Sequence, residues 1–329
     1  MRFISLIIPL ILLPFHLIAQ SASFHRTDKL MGCRFDLTVV AEGADAGAGF
    51  LAEAVAEITR IERLISSWNP NSQTSAINRA AGVAPVVVDA ELFDLIERSI
   101  SLSKLTDGAF DISYASLDRV WQFDGSMTAK PSPESIAASV AKVGWQKIVL
   151  DREQSTVYLP ETGMKIGFGA IGKGYAADRA RTLLESRGVP AGIINASGDL
   201  TAWGKQPSGE DWRVAITNPL NKEKAFAWLP VDGRAVVTSG NYEKFVRFDG
   251  VRYAHIIDPR TGYPSTGIVS ATVFAPRAEL ADALATSVFV MGTETALDFI
   301  NQLPGVDVVI VDEANKVHSS AGLDVQTSN

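Results

Sequence analysis

The sequence predicts an α+β fold in a single domain, on three observations. Strands and helices fall partly in runs rather than in strict alternation, which disfavours a doubly wound sheet. Residues 212–257 read almost continuously as strand. No repeat, low-complexity segment or Pro/Gly linker divides the chain, and its 47% hydrophobic content supports a large core.

The N-terminus, MRFISLIIPLILLPFHLIAQSAS, has a cationic Arg2, an apolar stretch from Phe3 to Ile18, and small residues at Ala19, Ser21 and Ala22. That is the pattern of a secretory leader over residues 1–22. Pro9, Pro14 and the short span favour a leader over a membrane anchor. The domain is then expected in residues 23–320, with a polar tail at 321–329. No other apolar run is long enough to cross a membrane, so the mature chain is expected to be soluble. Cys33 is the sole cysteine, so no intramolecular disulfide forms and the core alone must stabilise the fold.

The first ordered piece is the strand CRFDLTVVA. The stretch FLAEAVAEITRIERLIS follows, with Leu51, Val55, Ile58, Ile61 and Ile65 at helical spacing. SWNPNSQTSAINR, rich in Ser, Asn and Pro, reads as a loop. A second helix runs from about Glu91 to Leu105. SPESIAASVAKVG is a short helix with Ser132 as N-cap, Pro133 at its first position and Gly144 at its end. KIVLD and STVYLP form a hairpin. MKIGFGAIGKGYAADRARTLLESRG reads as strand, glycine loop and helix, and AGIINAS and DLTAWG are further strands. WRVAIT, AFAWLPV, AVVTS, EKFVRF and VRYAHII are strands too, the last two joined at Asp249-Gly250, a hairpin signal. GIVSATVFA is a strand, AELADALATSVFVMG a helix followed by a shorter one, and DVVIVD a strand. From about Asn315 the tail is polar and is expected to fray.

A net charge of −7 excludes general nucleic-acid binding, since no positive field draws phosphates in. An anionic ligand therefore needs a local cation, a metal or a helix N-terminus. Gly167, Gly169 and Gly172 fit G-x-G-x-x-G, and with Lys173 they nearly fit a P-loop. Neither match is complete, because Gly174 stands where a P-loop needs a hydroxyl. Both patterns still place an anion at this helix start beside Lys173. The competing reading is a tight turn whose glycines only permit packing. Asp282 and Thr286 share a helix face at i and i+4, a hard-oxygen pair suited to Mg²⁺. Taken alone, a dipole-favoured Asp and a Thr bonded to the i−4 carbonyl explain that pair better. No Cys/His cluster supports zinc. Asp107 and Asp111 flank Gly108 in what reads as an Asx-type turn. Trp68, Tyr242 and Tyr253 stand in or beside polar loops, able to stack on a planar ring or to cover the core. Of four histidines, only His255 lies well inside the chain, at a strand end before the turn DPRTG. It is a base, a metal ligand or a packed histidine.

In order, the segments MGCRFDL, SWNPNSQTSAIN, DGAFDIS, IGFGAIGKGYAAD, INASGDL, VVTSGNYEKF, HIIDPRTGYP and ADALATSVFVMG resemble the ApbE family of FAD:protein FMN transferases. They extend from Met31 to Gly292. The resemblance implies one domain with mixed and antiparallel sheets flanked by helices, acting in the periplasm. It implies FAD as substrate and transfer of FMN to a Thr or Ser hydroxyl, with a phosphoester linkage and AMP released. By resemblance, Met31, Trp68, Ala109, Phe110, Asp111, Gly167, Lys173 and Ile256 contact FAD. Mg²⁺ is held by the carbonyl of Ala170 with Asp282 and Thr286. His255 falls at the proposed base, its ordinary pKa near ~6.5 suiting proton acceptance around neutral pH, with Asp258 as a possible orienting partner. Acceptors by resemblance are flavin-carrying subunits of Na⁺-pumping NADH:quinone reductase, Rnf-type complexes or related FMN-binding domains. Cys33 stands where the family usually has Thr, Ser197 where Gly is common, and DISYASL lacks the usual Pro-Thr. Three alternatives remain: an FAD pyrophosphatase using water, a non-catalytic flavin-binding protein, and a Rossmann oxidoreductase resting on the glycines alone.

Overall fold

A computed structural model describes residues 21–117, 120–218, 221–231, 233–241 and 244–323. The chain begins with β1 (Ser21–Leu30) and β2 (Cys33–Glu42), paired along their whole length. Then come α1 (Ala44–Ile65), α2 (Gln73–Arg79), β3 (Val86–Val87) and α3 (Ala90–Leu105). A 3₁₀ turn spans Ile112–Leu117, followed by α4 (Pro133–Val140), β4 (Val149–Asp151) and β5 (Thr156–Tyr158). The second half holds α5 (Gly172–Ser186), β6 (Gly192–Ala196), β7 (Asp199–Trp203), β8 (Trp212–Asn218) and β9 (Asn221–Val231). It continues with β10 (Ala235–Gly240), β11 (Phe245–Phe248), β12 (Val251–Ala254) and β13 (Ile268–Ala275). It closes with α6 (Ala278–Met291), α7 (Thr293–Ile300), β14 (Asp307–Asp312) and β15 (Val317–Ser319).

The expected α+β class holds. Eight strands form the main sheet in the order β1-β2-β6-β7-β10-β13-β14-β15, every pair antiparallel. Alternation decides its two faces. Phe35, Leu37 and Val39 of β2 point into a core shared with α1 and α5, while Val40 points the other way. On that second face Trp212 and Val231 of the β8–β9 ribbon cover Leu200, Val236 and Phe274. α6 and α7 pack on the helical side over Val273, Val308 and Ile310. The apolar stripe of α1 buries Leu51, Ile58, Ile61 and Ile65 as its spacing predicts, each contributing roughly 1.5–3 kcal/mol.

Several expectations are corrected. β1 precedes the first predicted strand and starts at Ser21. Residues 73–79 are helix, not loop, because Ser72 caps them by accepting from Ser75 N at 3.0 Å. The predicted strand before the glycine loop does not form. Its backbone is held by a side chain instead: Ile166 N donates to Asn78 Oδ1 (2.8 Å) and Asn78 Nδ2 to Ile166 O (3.0 Å). The residues after Asn315 are not frayed throughout, since β15 pairs with β14. Residues 1–20 of the predicted leader, Tyr242 and the tail from residue 324 fall outside the described residues, while Ser21 and Ala22, the last two leader positions, lie in β1. Among the described residues no helix is long and apolar enough to cross a membrane.

Candidate active site

A cavity of about 900 Å³ opens where the β6–β7 turn, β10, the α5 start, α6 and the β12 end meet. That volume suits a large, dinucleotide-sized ligand. Its wall includes Ala109, Phe110, Asp111, Ala170, Lys173, His255, Ile256, Asp282 and Thr286. Nine sequence-predicted residues are thus gathered from four separate segments. Three are not on the wall. Gly167 is buried beneath it, its backbone N donating to Ile112 O. Met31 sits at the β1–β2 turn beside Gly172. Trp68 is 77% exposed on the loop after α1.

The helix starts explain the geometry. α5 and α6 approach so closely that a Cβ on Gly174 would lie 2.2 Å from Ala278 O. That clearance, not phosphate chemistry, demands glycine where a P-loop has a hydroxyl. Each helix then caps the other. Asp178 of α5 accepts from Ala278 N (3.0 Å) and Glu279 N (2.9 Å), and Asp282 of α6 accepts from Gly174 N (3.1 Å). The group seated at the α5 start is the protein's own Asp282 carboxyl.

Behind this carboxyl stands Asp199, which sequence reasoning read only as part of a strand. It is 2% exposed, and its Oδ2 lies 2.5 Å from Lys173 Nζ. Oδ2 makes no well-aligned hydrogen bond, so the ammonium's charge holds it. Burial first and Asp199 second push the Asp282 carboxyl up to about 8. Burial likewise raises Asp199, against the pull of Lys173. Lys173 stays charged, its pKa raised because the two carboxylates outweigh its own desolvation.

The oxygen pair survives its structural alternative. Ser287 donates to the i−4 carbonyl of Ala283 at 2.8 Å, whereas the Thr286 hydroxyl makes no such bond. Asp282, Thr286 and Ala170 all line one cavity, and a carboxyl, a hydroxyl and a backbone carbonyl are hard donors, which fits Mg²⁺ rather than zinc. Among the described residues no group of three His, Cys, Asp or Glu could hold a metal, so a site here must use hydroxyl and carbonyl oxygens.

Asp111 is largely committed to structure. Its Oδ1 accepts from Ser113 N and Oγ (both 2.7 Å) and its Oδ2 from Trp145 N (3.2 Å). This buried turn presents Ala109 and Phe110 to the cavity.

His255 follows β12, its backbone N donating to Lys244 O. Its Nδ1 lies 3.3 Å from the same carbonyl, which can only accept. The neutral ring therefore carries its proton on Nδ1, and Nε2 is the basic nitrogen. Asp258 does not orient it, because Arg260 takes both Asp258 oxygens at 2.9 Å. The DPRTG turn is thereby braced as a wall.

Two departures from the family pattern lie at the ends of adjacent strands. Ser197 adopts φ 53°, the left-handed conformation that explains why glycine is common there. Its hydroxyl donates to Arg34 O at 2.9 Å, next to Cys33, whose thiol burial pushes up. Tyr114, also on the wall, carried no signal in the sequence. Its hydroxyl would lie 2.3 Å from a Cβ on Gly169, so a side chain there would have to displace the Tyr114 ring.

A family model described as the ApbE family matches residues 31–310. A Treponema pallidum protein described as FAD:protein FMN transferase is 32% identical over 322 residues, covering 93% of this chain and 89% of its own. A Salmonella typhimurium protein of the same description is 32% identical over 282 residues, covering 83% and 80%. The ApbE protein of Thermotoga maritima superposes with a TM-score of 0.83 at 32% identity, over 91% of this chain and 97% of that one. The flavin transferase ApbE of Vibrio cholerae gives 0.82 at 25% identity, over 92% and 98%.

Proposed function

The chain belongs to the ApbE family, and on that basis we propose that it is an exported, periplasmic FAD:protein FMN transferase dependent on Mg²⁺. The observation that carries the reading is the single cavity joining His255, Lys173 and the oxygens of Ala170, Asp282 and Thr286. The acceptor Thr or Ser hydroxyl forms a new P–O bond to the FMN phosphorus. The bond from that phosphorus to the bridging pyrophosphate oxygen breaks, and AMP leaves. The hydroxyl proton passes to His255 Nε2, whose ring Lys244 O orients. Mg²⁺ held by Ala170 O, Asp282 and Thr286 would neutralise charge on the pyrophosphate oxygens. The walls at Ala109, Phe110 and Ile256 exclude water from the flavin end. Acceptors are proposed to be flavin-carrying subunits of quinone reductase or Rnf-type complexes, or FMN-binding domains.

Incubation of the mature chain with FAD, Mg²⁺ and such a domain should add the mass of FMN less water to a Thr or Ser peptide, with AMP in equal amount. FMN and AMP appearing equally well without any acceptor would indicate a pyrophosphatase. FAD bound intact, with no product under either condition, would indicate a flavin-binding protein.

A further inference from the structure

We propose that Asp199 is a positioning residue that holds the Lys173 ammonium off Asp282, so that the Asp282 carboxylate remains available to the metal. The inference deepens the flavin-transferase reading and rests on it. Three buried or half-buried titratable side chains meet at the α5 start: one ammonium and two carboxyls. Lys173 occupies the first turn of α5, and Asp282 bonds the backbone of the next residue, Gly174. The ammonium feels both carboxyls, Asp199 more strongly than Asp282. Its short contact is with Asp199 Oδ2, at 2.5 Å.

The local backbone explains that choice. Ser197 and Gly198 have φ of 53° and 106°, which turn the chain so that Asp199 opens β7 facing α5. Asn195 Oδ1 braces the turn by accepting from Gly198 N at 2.8 Å. Without the Asp199 charge, Asp282 is the sole buried carboxylate facing Lys173, and ammonium and cation then compete for one ligand. The reaction gains doubly from the observed arrangement. Lys173 stays as a fixed positive charge on the cavity wall, and its short contact goes to Asp199, leaving the Asp282 oxygens clear of it.

The test titrates Mg²⁺ calorimetrically into the full chain, with and without FAD, alongside melts of metal-free protein. Asp199→Asn should lower Mg²⁺ affinity by about 10–100-fold, the usual range for a partner of a metal ligand. Lys173→Gln combined with Asp199→Asn removes the competing ammonium and should restore Mg²⁺ affinity to within several-fold of wild type. A merely structural role predicts no such recovery. If Asp199→Asn does not fold, Asp199→Glu, which keeps the charge, carries the test. It should retain most of the affinity, and a tenfold loss would count against the proposal. Unchanged Mg²⁺ affinity in Asp199→Asn, or a double variant as weak as the single, overturns the inference while leaving the transferase reading intact. A wild-type chain that binds no Mg²⁺ overturns both this inference and the metal assignment.

Discussion

Replacing Asp178 with alanine tests whether the active site and the fold share the same bonds. Asp178 accepts from two backbone donors at the α6 start, Ala278 N at 3.0 Å and Glu279 N at 2.9 Å. Both of those residues are buried, so water does not readily replace the carboxylate. A lost N-cap costs about 0.5–2 kcal/mol, and a buried donor left without an acceptor costs roughly 1–3 kcal/mol. The two donors together place the loss at about 2–4 kcal/mol. At roughly 2–4 °C per kcal/mol for domains of this scale, the melting temperature falls by about 4–16 °C. Urea unfolding followed by tryptophan fluorescence reads the free energy, and Mg²⁺ titration reads the site, since α6 carries both Asp282 and Thr286. Asp178→Asn keeps one acceptor oxygen and should fall between wild type and Asp178→Ala. If Asp178→Ala lies within about 1 kcal/mol of wild type with normal Mg²⁺ binding, the reciprocal-cap argument is wrong.

Asp282→Ala should abolish Mg²⁺-dependent transfer while FAD-induced protection survives; full Mg²⁺-dependent activity in that variant would remove Asp282 from the metal. His255→Asn should keep FAD and Mg²⁺ binding but lose transfer by about 10²–10⁴-fold, the range for general-base loss; near-normal rates would leave His255 as support for the wall. The pH dependence has a definite sign. Asp282 titrates at about 8 in the folded chain against an ordinary carboxyl near 3.8, so the folded state binds more protons between those values. Metal-free stability should therefore fall as pH rises from about 4 to about 8. Burial raises Asp111 and Asp178 in the same direction. Saturating Mg²⁺ should flatten the slope, and melts at pH 5, 6.5 and 8 that rise with pH would refute the account. Gly174→Ala should destabilise strongly, because its Cβ would meet the rigid backbone at Ala278 O; a melt within 2 °C of wild type, an outcome expected of a freely accommodated glycine substitution, would contradict the crossing geometry.

Much of this was legible in the sequence. The α1 stripe, the Ser132 cap of α4 and the Asp249-Gly250 hairpin obey local rules, and the structure follows them. Less legible were places where a side chain replaces a ladder. Residues 164–168 look like a strand, yet Asn78, far away in the chain, satisfies the backbone of Ile166. The glycine loop looks like a phosphate cradle because clearance for a crossing helix and approach of an anion demand the same residue. Type and spacing marked His255 and the Asp282/Thr286 pair as candidates, but left each a structural alternative that only the family resemblance outweighed. Asp199 was not, because a buried carboxylate opening a strand has no periodic signature, and its partners Lys173 and Asp282 come from two other elements.

The crossing of α5 and α6 also sets when the site can exist during synthesis. One hundred residues separate Asp178 from the amide it caps at Ala278. A nascent chain that ends before α6 has neither Asp282 nor Thr286, and the amide of Gly174 has no acceptor. Such a chain holds the glycine loop and Lys173 but no complete metal site. On the proposed metal assignment, cation capture therefore waits for the last portion of the polypeptide to emerge and dock. A truncated chain would then be a poor trap for Mg²⁺, and competence for the proposed chemistry would arrive together with completion of the fold.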